Sequence, residues 1–220
     1  MKGYHKINSL FKRDRKTNKL LIGDFAKPEF ELLQFVDWEF EEKLDGTNMR
    51  IHLEISEAQE ISMRVGGRTD KAQIPVGLLE KIYSLIDFGK VLEVFHRSGS
   101  VTLYGEGVGS KIQKGSLGYV KDATADGGFD FILFDILVNG YNWLEREAVY
   151  GIGGRLGLNC SKIIGTGPIS QAVALCTSGF ESQLRDTRPE GVVLRPKLEL
   201  RDRKGARIIS KAVLRDYFEG

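Results

Sequence analysis

Cysteine is scarce. Only Cys160 and Cys176 occur in 220 residues. Their spacing matches no metal motif, and so few thiols in a chain of this size point to a reducing compartment. Histidine is scarce too: His5, His52 and His96 have no ligand spacing, so no zinc site is expected. No Ser-His-Asp or Cys-His arrangement is read from the sequence. Long hydrophobic runs are missing. The most apolar stretch, Phe129 to Leu144, contains Asp130 and Asp135 and falls short of the ~20 residues a spanning helix needs. Met1 to Lys6 lack the apolar centre of a secretion signal. We therefore expect a cytoplasmic protein with no membrane partner. Repeats and low-complexity tracts are absent. A strong charge bias is absent as well, with a formal net charge of +2. The basic residues are nevertheless clustered, at Lys12-Arg13-Asp14-Arg15-Lys16 and at Arg201-Asp202-Arg203-Lys204. Such clusters either engage phosphates or lie solvated in loops.

The chain has an ordinary globular balance, 41% hydrophobic and 28% charged. Its length fits one large domain, able to bury roughly 70% of its unfolded surface. Lys27-Pro28-Glu29 opens a short helix through Val36, with proline in the first turn. Trp38 to Lys43 alternates, with Trp38 and Phe40 on one face and Glu39, Glu41 and Lys43 on the other. Met49 to Ile55 alternates again, and the two strands are joined through Asp45-Gly46. Pro75 to Phe95 reads as one or two helices with a break at Gly89. Val101 to Tyr104 is a strand entering a glycine-rich loop, Gly105 to Gly109. Phe129 to Val138 is a buried strand. Trp143 to Leu158 is helical in part, weakened by four glycines. Ile169 to Cys176 is a short helix. Gly191 to Leu200 and Ala206 to Val213 are strands joined by the basic turn. Strands dominate, hairpins imply antiparallel pairing, and the class is α+β.

One segment concentrates chemistry: Glu42-Lys43-Leu44-Asp45-Gly46-Thr47-Asn48. Residues two apart on a strand face one side, so Lys43 and Asp45 can point into one cleft. Gly46 allows a tight turn and close approach of a ligand to the backbone. A lysine that has lost its proton is a nucleophile for phosphorus. Alone, Lys-x-Asp-Gly equally describes an exposed turn. Other segments repeat the theme. Arg68 follows Gly66-Gly67 and offers a cation. Glu106 sits in Tyr104-Gly105-Glu106-Gly107. Phe134 lies in an apolar strand, where core packing is its default, beside Asp135, whose role is open. Glu190 opens Glu190-Gly191-Val192-Val193-Leu194-Arg195-Pro196. Lys211 closes Ile208-Ile209-Ser210-Lys211. The glycine-rich stretch at 105 to 109 is no Walker loop, because no Gly-Lys-Ser/Thr follows. Tyr4, Asn8 and Phe11 are further candidates for contact with nucleotide or nucleic acid.

In this order the segments resemble the motifs of the covalent nucleotidyltransferases, the superfamily of ATP-dependent ligases and mRNA capping enzymes. The nearest likeness is to RNA ligases of the bacteriophage and RNA-editing type, whose Glu-Lys-x-x-Gly-Thr-Asn signature reads here from Glu42 to Asn48. The resemblance spans roughly residues 4 to 219. It implies a ligase-type adenylation core, antiparallel sheets flanked by helices, filling residues 1–220 as a single domain with no room for a C-terminal accessory domain. It implies ATP and Mg²⁺ or Mn²⁺ as cofactors and RNA as partner. Lys43 would hold AMP as a phosphoramidate, and Asp45 would belong to the same catalytic set. Glu42 and Asn48 would contact the nucleotide, Arg68 a phosphate and Glu106 the ribose hydroxyls. Phe134 would stack on adenine, Glu190 would hold the metal or its waters, and Lys211 would neutralise phosphate charge. Family members commonly show Lys-x-Lys in the last motif, whereas Ile209 stands two residues before Lys211. One phosphate contact is therefore missing or supplied elsewhere. The adenylation domain of a DNA ligase, a capping guanylyltransferase and a nucleotide- or RNA-binding pseudo-enzyme are the alternatives.

Overall fold

The computed structural model describes residues 1–110, 112–113, 115–120, 128–184 and 188–218. The chain forms two compact units, Met1–Tyr4 with Asp45–Ser161, and His5–Leu44 with Lys162–Gly220. It passes from the second to the first between Leu44 and Asp45, inside the motif that carries the candidate nucleophile.

The first unit is built on a six-stranded sheet. Its main path runs Asn159–Cys160, Phe129–Val138, Gly99–Gly109, Thr47–Ile55, Ile61–Gly67, and Asn142–Trp143 adds to Phe129–Val138. All pairings are antiparallel except that of Asn159–Cys160. Alternation sends Met49, Ile51 and Leu53 into one face, where they pack with Leu78, Ile82, Val91, Val149 and Leu156 from the helices Val76–Leu85, Phe88–Val94 and Arg146–Leu156. The opposite face carries Asn48, Arg50 and His52, paired with Glu106, Tyr104 and Thr102.

The second unit has a five-stranded sheet ordered Asn8–Ser9, Ser210–Val213, Gly191–Pro196, Trp38–Lys43, Ile163–Gly167, and a separate ribbon, Phe11–Arg13 with Leu20–Phe25. Trp38, Phe40, Val192, Leu194 and Ala212 form its apolar face, packed with Ile169, Ala172 and Cys176 of the helix Ile169–Ser178. The class is α+β with largely antiparallel sheets flanked by helices, as expected.

Several local expectations are corrected. The strands on either side of Asp45-Gly46 do follow each other, but they join different sheets and form no hairpin. Alternation ends at Lys43, so strand parity does not govern Asp45. The expected glycine-rich loop is continuous strand from Gly99 to Gly109. The helical stretch after Pro75 breaks at Ile86–Asp87, where the Asp87 carboxylate accepts from the amides of Gly89 and Lys90 and caps the second helix. Arg146–Leu156 stays helical through its glycines and ends on Gly157 at φ 76°. The strands near the C-terminus are shorter than read, Gly191–Pro196 and Ser210–Val213, with a lone bridge between Arg201 and Arg207 beside the basic turn.

Candidate active site

In the second unit, three strands set the positions of the charged candidates. Register places Lys43, Gly191 and Val213 in one row across the sheet, and Glu41, Val193 and Lys211 in the next. Directly opposed residues share a face, so Lys43 and Lys211 project from the same side. Two inter-strand spacings separate their strands, roughly 10 Å. Glu190 immediately precedes its strand. Its amide donates to the Lys43 carbonyl at 3.1 Å, which fixes its backbone beside the lysine. Its carboxylate forms an ion pair with the Lys43 ammonium, and both side chains are only about a fifth to a quarter exposed, 21% and 24%. On the same face, Arg195 donates to Glu41 at 2.6 Å in a fully buried pair. Glu42 faces the other way. Its carboxylate is turned to the apolar side and accepts the Gln183 amide at 3.1 Å.

In the first unit, Asn48 and Glu106 lie directly opposite each other on adjacent strands. The Asn48 side-chain oxygen is buried, and among the described residues it has no hydrogen-bond partner. A buried acceptor left open in this way fits a ligand donor such as a hydroxyl or amine. Gly46 lies close by: a Cβ there would stand 2.5 Å from the Gly107 carbonyl and 2.7 Å from Glu106 Cγ. Close packing is what requires this glycine; its φ lies outside the left-handed region, so the bend itself does not. Asp45 accepts the Gly115 amide at 3.4 Å.

Phe134 departs from its default. Between Tyr104 and Gly105 the register with the neighbouring strand shifts, with Asp135 opposite Tyr104 and Leu133 opposite Gly105. The unopposed residue is Phe134. The bulge turns its ring out of the core occupied by Phe131, Leu133 and Ile136. There it meets the Tyr4 ring at 5.1 Å, edge-on, and Tyr4 also contacts Tyr104 at 5.1 Å and Trp143 at 5.6 Å. Asp135, fully buried, holds this group in place. It accepts from the Tyr4 hydroxyl at 2.8 Å and from Arg146 at 3.3 Å. Burial pushes the Tyr104 hydroxyl up to about 12, so it remains a donor, and it bonds the Lys2 carbonyl at 2.9 Å. Arg68 is exposed just beyond the strand Ile61–Gly67.

The first unit thus brings together Asn48, Glu106 and Phe134 on one sheet face. The second brings together Lys43, Glu190 and Lys211. Sequence reasoning underweighted Tyr4, whose partners lie far along the chain, and it missed Arg50, Glu41 and Arg195. The alternation of Glu39, Glu41 and Lys43 was the available signal for Glu41. Of the other candidates, Phe11 is core, packed on Phe25 at 5.0 Å, and Asn8 sits in a strand beside Ser210. Among the described residues no three acids, histidines or cysteines converge on a metal-sized site. No helix among them is long and apolar enough to cross a membrane.

A lysine–glutamate pair thus stands at the ends of adjacent strands in an α+β fold. The model of the RNA ligase family matches residues 36–213, and the chain belongs to that family. Solved structures of Naegleria gruberi RNA ligase are similar in fold. A variant with ATP and Mn is 21% identical, with TM-score 0.60, over 87% of this chain and 53% of that one. A variant with AMP and Mn is 19% identical, with TM-score 0.60, over 87% and 54%. The form with PPi is 19% identical, with TM-score 0.61, over 100% and 64%. The chain therefore spans about half to two thirds of the length of these relatives. No curated protein sequence matches it.

Proposed function

We propose that the chain is an ATP-dependent RNA ligase that joins 3′-hydroxyl to 5′-phosphate ends through AMP carried on Lys43. The observation that carries this reading is the Lys43–Glu190 pair, set by strand register at the point where the family's signature stands. An ammonium has no lone pair, so Lys43 must lose a proton before it attacks. Glu190 holds the Lys43 ammonium in place, and a cation bound beside it would favour loss of that proton. The lysine nitrogen then bonds to the α-phosphorus of ATP as the bond to the bridging oxygen breaks, and pyrophosphate leaves. AMP next passes to a 5′-phosphate, and a 3′-hydroxyl displaces it. Each step is phosphoryl transfer, for which positioning and charge neutralisation supply most of the rate.

The other residues take roles that suit their chemistry. Phe134 offers a π-face to adenine, Glu106 accepts from ribose hydroxyls, and the open Asn48 oxygen receives a ligand donor. Arg68 binds the incoming 5′-phosphate, Lys211 neutralises phosphate charge, and Asp45 completes the catalytic set. Glu42, bonded to the Gln183 amide, supports the strand from its apolar side and acts on nucleotide only indirectly. A divalent cation, Mg²⁺ or Mn²⁺, would be held by Glu190 with phosphate oxygens and water, and would neutralise charge on the leaving group. Magnesium is commonly bound by one or two carboxylates plus substrate phosphates and water. Residues 1–220 act as a single nucleotidyltransferase domain.

Incubation with α-labelled ATP or GTP and Mg²⁺ tests the reading. A covalent band from ATP alone is expected. A band from GTP supports a capping-type enzyme, and no band from either supports a binding protein without turnover.

A further inference from the structure

Arg50 is almost wholly buried, at 1% exposure. A guanidinium is always charged, so its N–H donors must find partners inside the protein. They do: Nε donates to the Gly67 carbonyl at 2.7 Å, one Nη to the Met1 carbonyl at 3.0 Å, and the other to the Asp70 carboxylate at 2.8 Å. Gly67 and Asp70 bracket Arg68. Strand register sets Arg50 opposite Gly66, and a Cβ at Gly66 would stand 3.3 Å from the guanidinium. The glycine thus leaves room for the fork and, more tightly, for Met1, whose methyl would stand 2.5 Å from that Cβ. Downstream, the Ala72 amide donates to the Thr69 carbonyl at 3.1 Å and closes the turn. The backbone of Arg68 is therefore pinned on both sides by one buried side chain, while its own side chain is exposed.

We propose that Arg50, anchored by Asp70, is a positioning residue that holds Arg68 where it can receive the 5′-phosphate of the RNA. This rests on the reading of Arg68 as a phosphate ligand. A fixed fork is needed because a lysine at 50 could not reach three acceptors spread over Met1, Gly67 and Asp70. Positioning matters for phosphoryl transfer because small displacements of a phosphate ligand cost rate without any loss of fold.

The test separates the steps. Arg50→Lys, Asp70→Asn, Asp70→Glu, Arg68→Ala and the double variant Asp70→Asn/Arg68→Ala are each assayed twice. One assay measures formation of the Lys43 adduct from ATP. The other measures transfer of AMP from purified adduct to a 5′-phosphorylated RNA over a range of RNA concentrations. Asp70 is 67% exposed at its side chain, so its replacement does not threaten the core. Asp70→Asn is expected to raise KM for the RNA about 3- to 10-fold, an exposed charge-assisted bond being modest. Arg50→Lys is expected to raise it about 10- to 100-fold, because buried acceptors lose their donors. Asp70→Glu keeps the carboxylate charge and restores most of the loss. Adduct formation holds in the Asp70 variants, and the double variant is no worse than Arg68→Ala, because the two changes act through one contact. If Arg68→Ala raises KM and Asp70→Asn and Arg50→Lys do not, the inference is overturned and the phosphate role of Arg68 stands. Additive losses in the double variant, or adduct formation falling in parallel, overturn it as well. If Arg68→Ala leaves transfer untouched, the phosphate role and the inference fall together. Should Arg50→Lys not fold, the Asp70 variants decide alone.

Discussion

The stagger between Tyr104 and Gly105 leaves one residue of the neighbouring strand unopposed, and that residue is Phe134. Its ring joins Tyr4, Tyr104 and Trp143 on the polar face of the sheet. Base stacking on an aromatic ring is worth about 1–3 kcal/mol, so Phe134→Ala should weaken ATP use in adduct formation by roughly 5- to 150-fold, and Phe134→Tyr should be mild. ATP titrations of the two variants check this; unchanged ATP dependence in folded Phe134→Ala would return the ring to a packing role. Motifs picked out Lys43, Asn48 and Glu190 as candidates, and the structure sets Glu190 beside Lys43. Arg50 was not legible. Its place in an alternating strand marked it only as polar-face, and its burial depends on carbonyls at Met1 and Gly67 that no local pattern connects to it. Tyr4 was named only as a candidate contact, and its place beside Phe134 was not legible, since its partner Asp135 lies 131 residues away.

At the scale of elements, glycine has two opposite meanings in this chain. Gly105 sits inside the strand Gly99–Gly109 at a close approach: a Cβ there would come within 2.6 Å of the Ile132 carbonyl oxygen. That is a backbone atom, which cannot swing aside. Gly105→Ala should therefore destabilise by about 1–3 kcal/mol or more. Gly151 lies in the helix Arg146–Leu156 with nothing within 4 Å of a built Cβ. Gly151→Ala should stabilise by about 1 kcal/mol, a rise in Tm of roughly 2–4 °C. Thermal unfolding of both variants tests the pair, and shifts of the same sign would contradict the assignment. Strongly periodic segments, Trp38 to Lys43 and Met49 to Ile55, were readable because alternation matches burial. The strand through Gly105 and Gly107 was not, since glycine reads locally as a turn signal while close packing demands it here. Ile61–Gly67 and Ile163–Gly167 also lacked signals, being half-exposed strands whose partners are set by tertiary pairing.

For the whole molecule, the near-neutral composition gave no hint of a nucleic-acid partner, and the ordered motifs gave the family. The proposed choice of RNA over DNA rests on one feature of the site. The buried Asn48 oxygen is open to a donor, and a 2′-hydroxyl is the group that distinguishes ribose. A polar group left unpaired costs about 1–3 kcal/mol, so nicks ending in ribose at the 3′-hydroxyl side should be sealed roughly 5- to 150-fold faster than all-DNA nicks. Equal sealing would favour a DNA ligase. The central claim is that AMP is carried on Lys43, and its most direct measurement is covalent labelling with α-labelled ATP in the parent, Lys43→Ala and Lys43→Arg, each checked for folding by circular dichroism. The account expects a labelled band in the parent and none in either variant, because alanine has no amine and a guanidinium keeps its proton. A folded Lys43→Ala protein that still takes up label would contradict it.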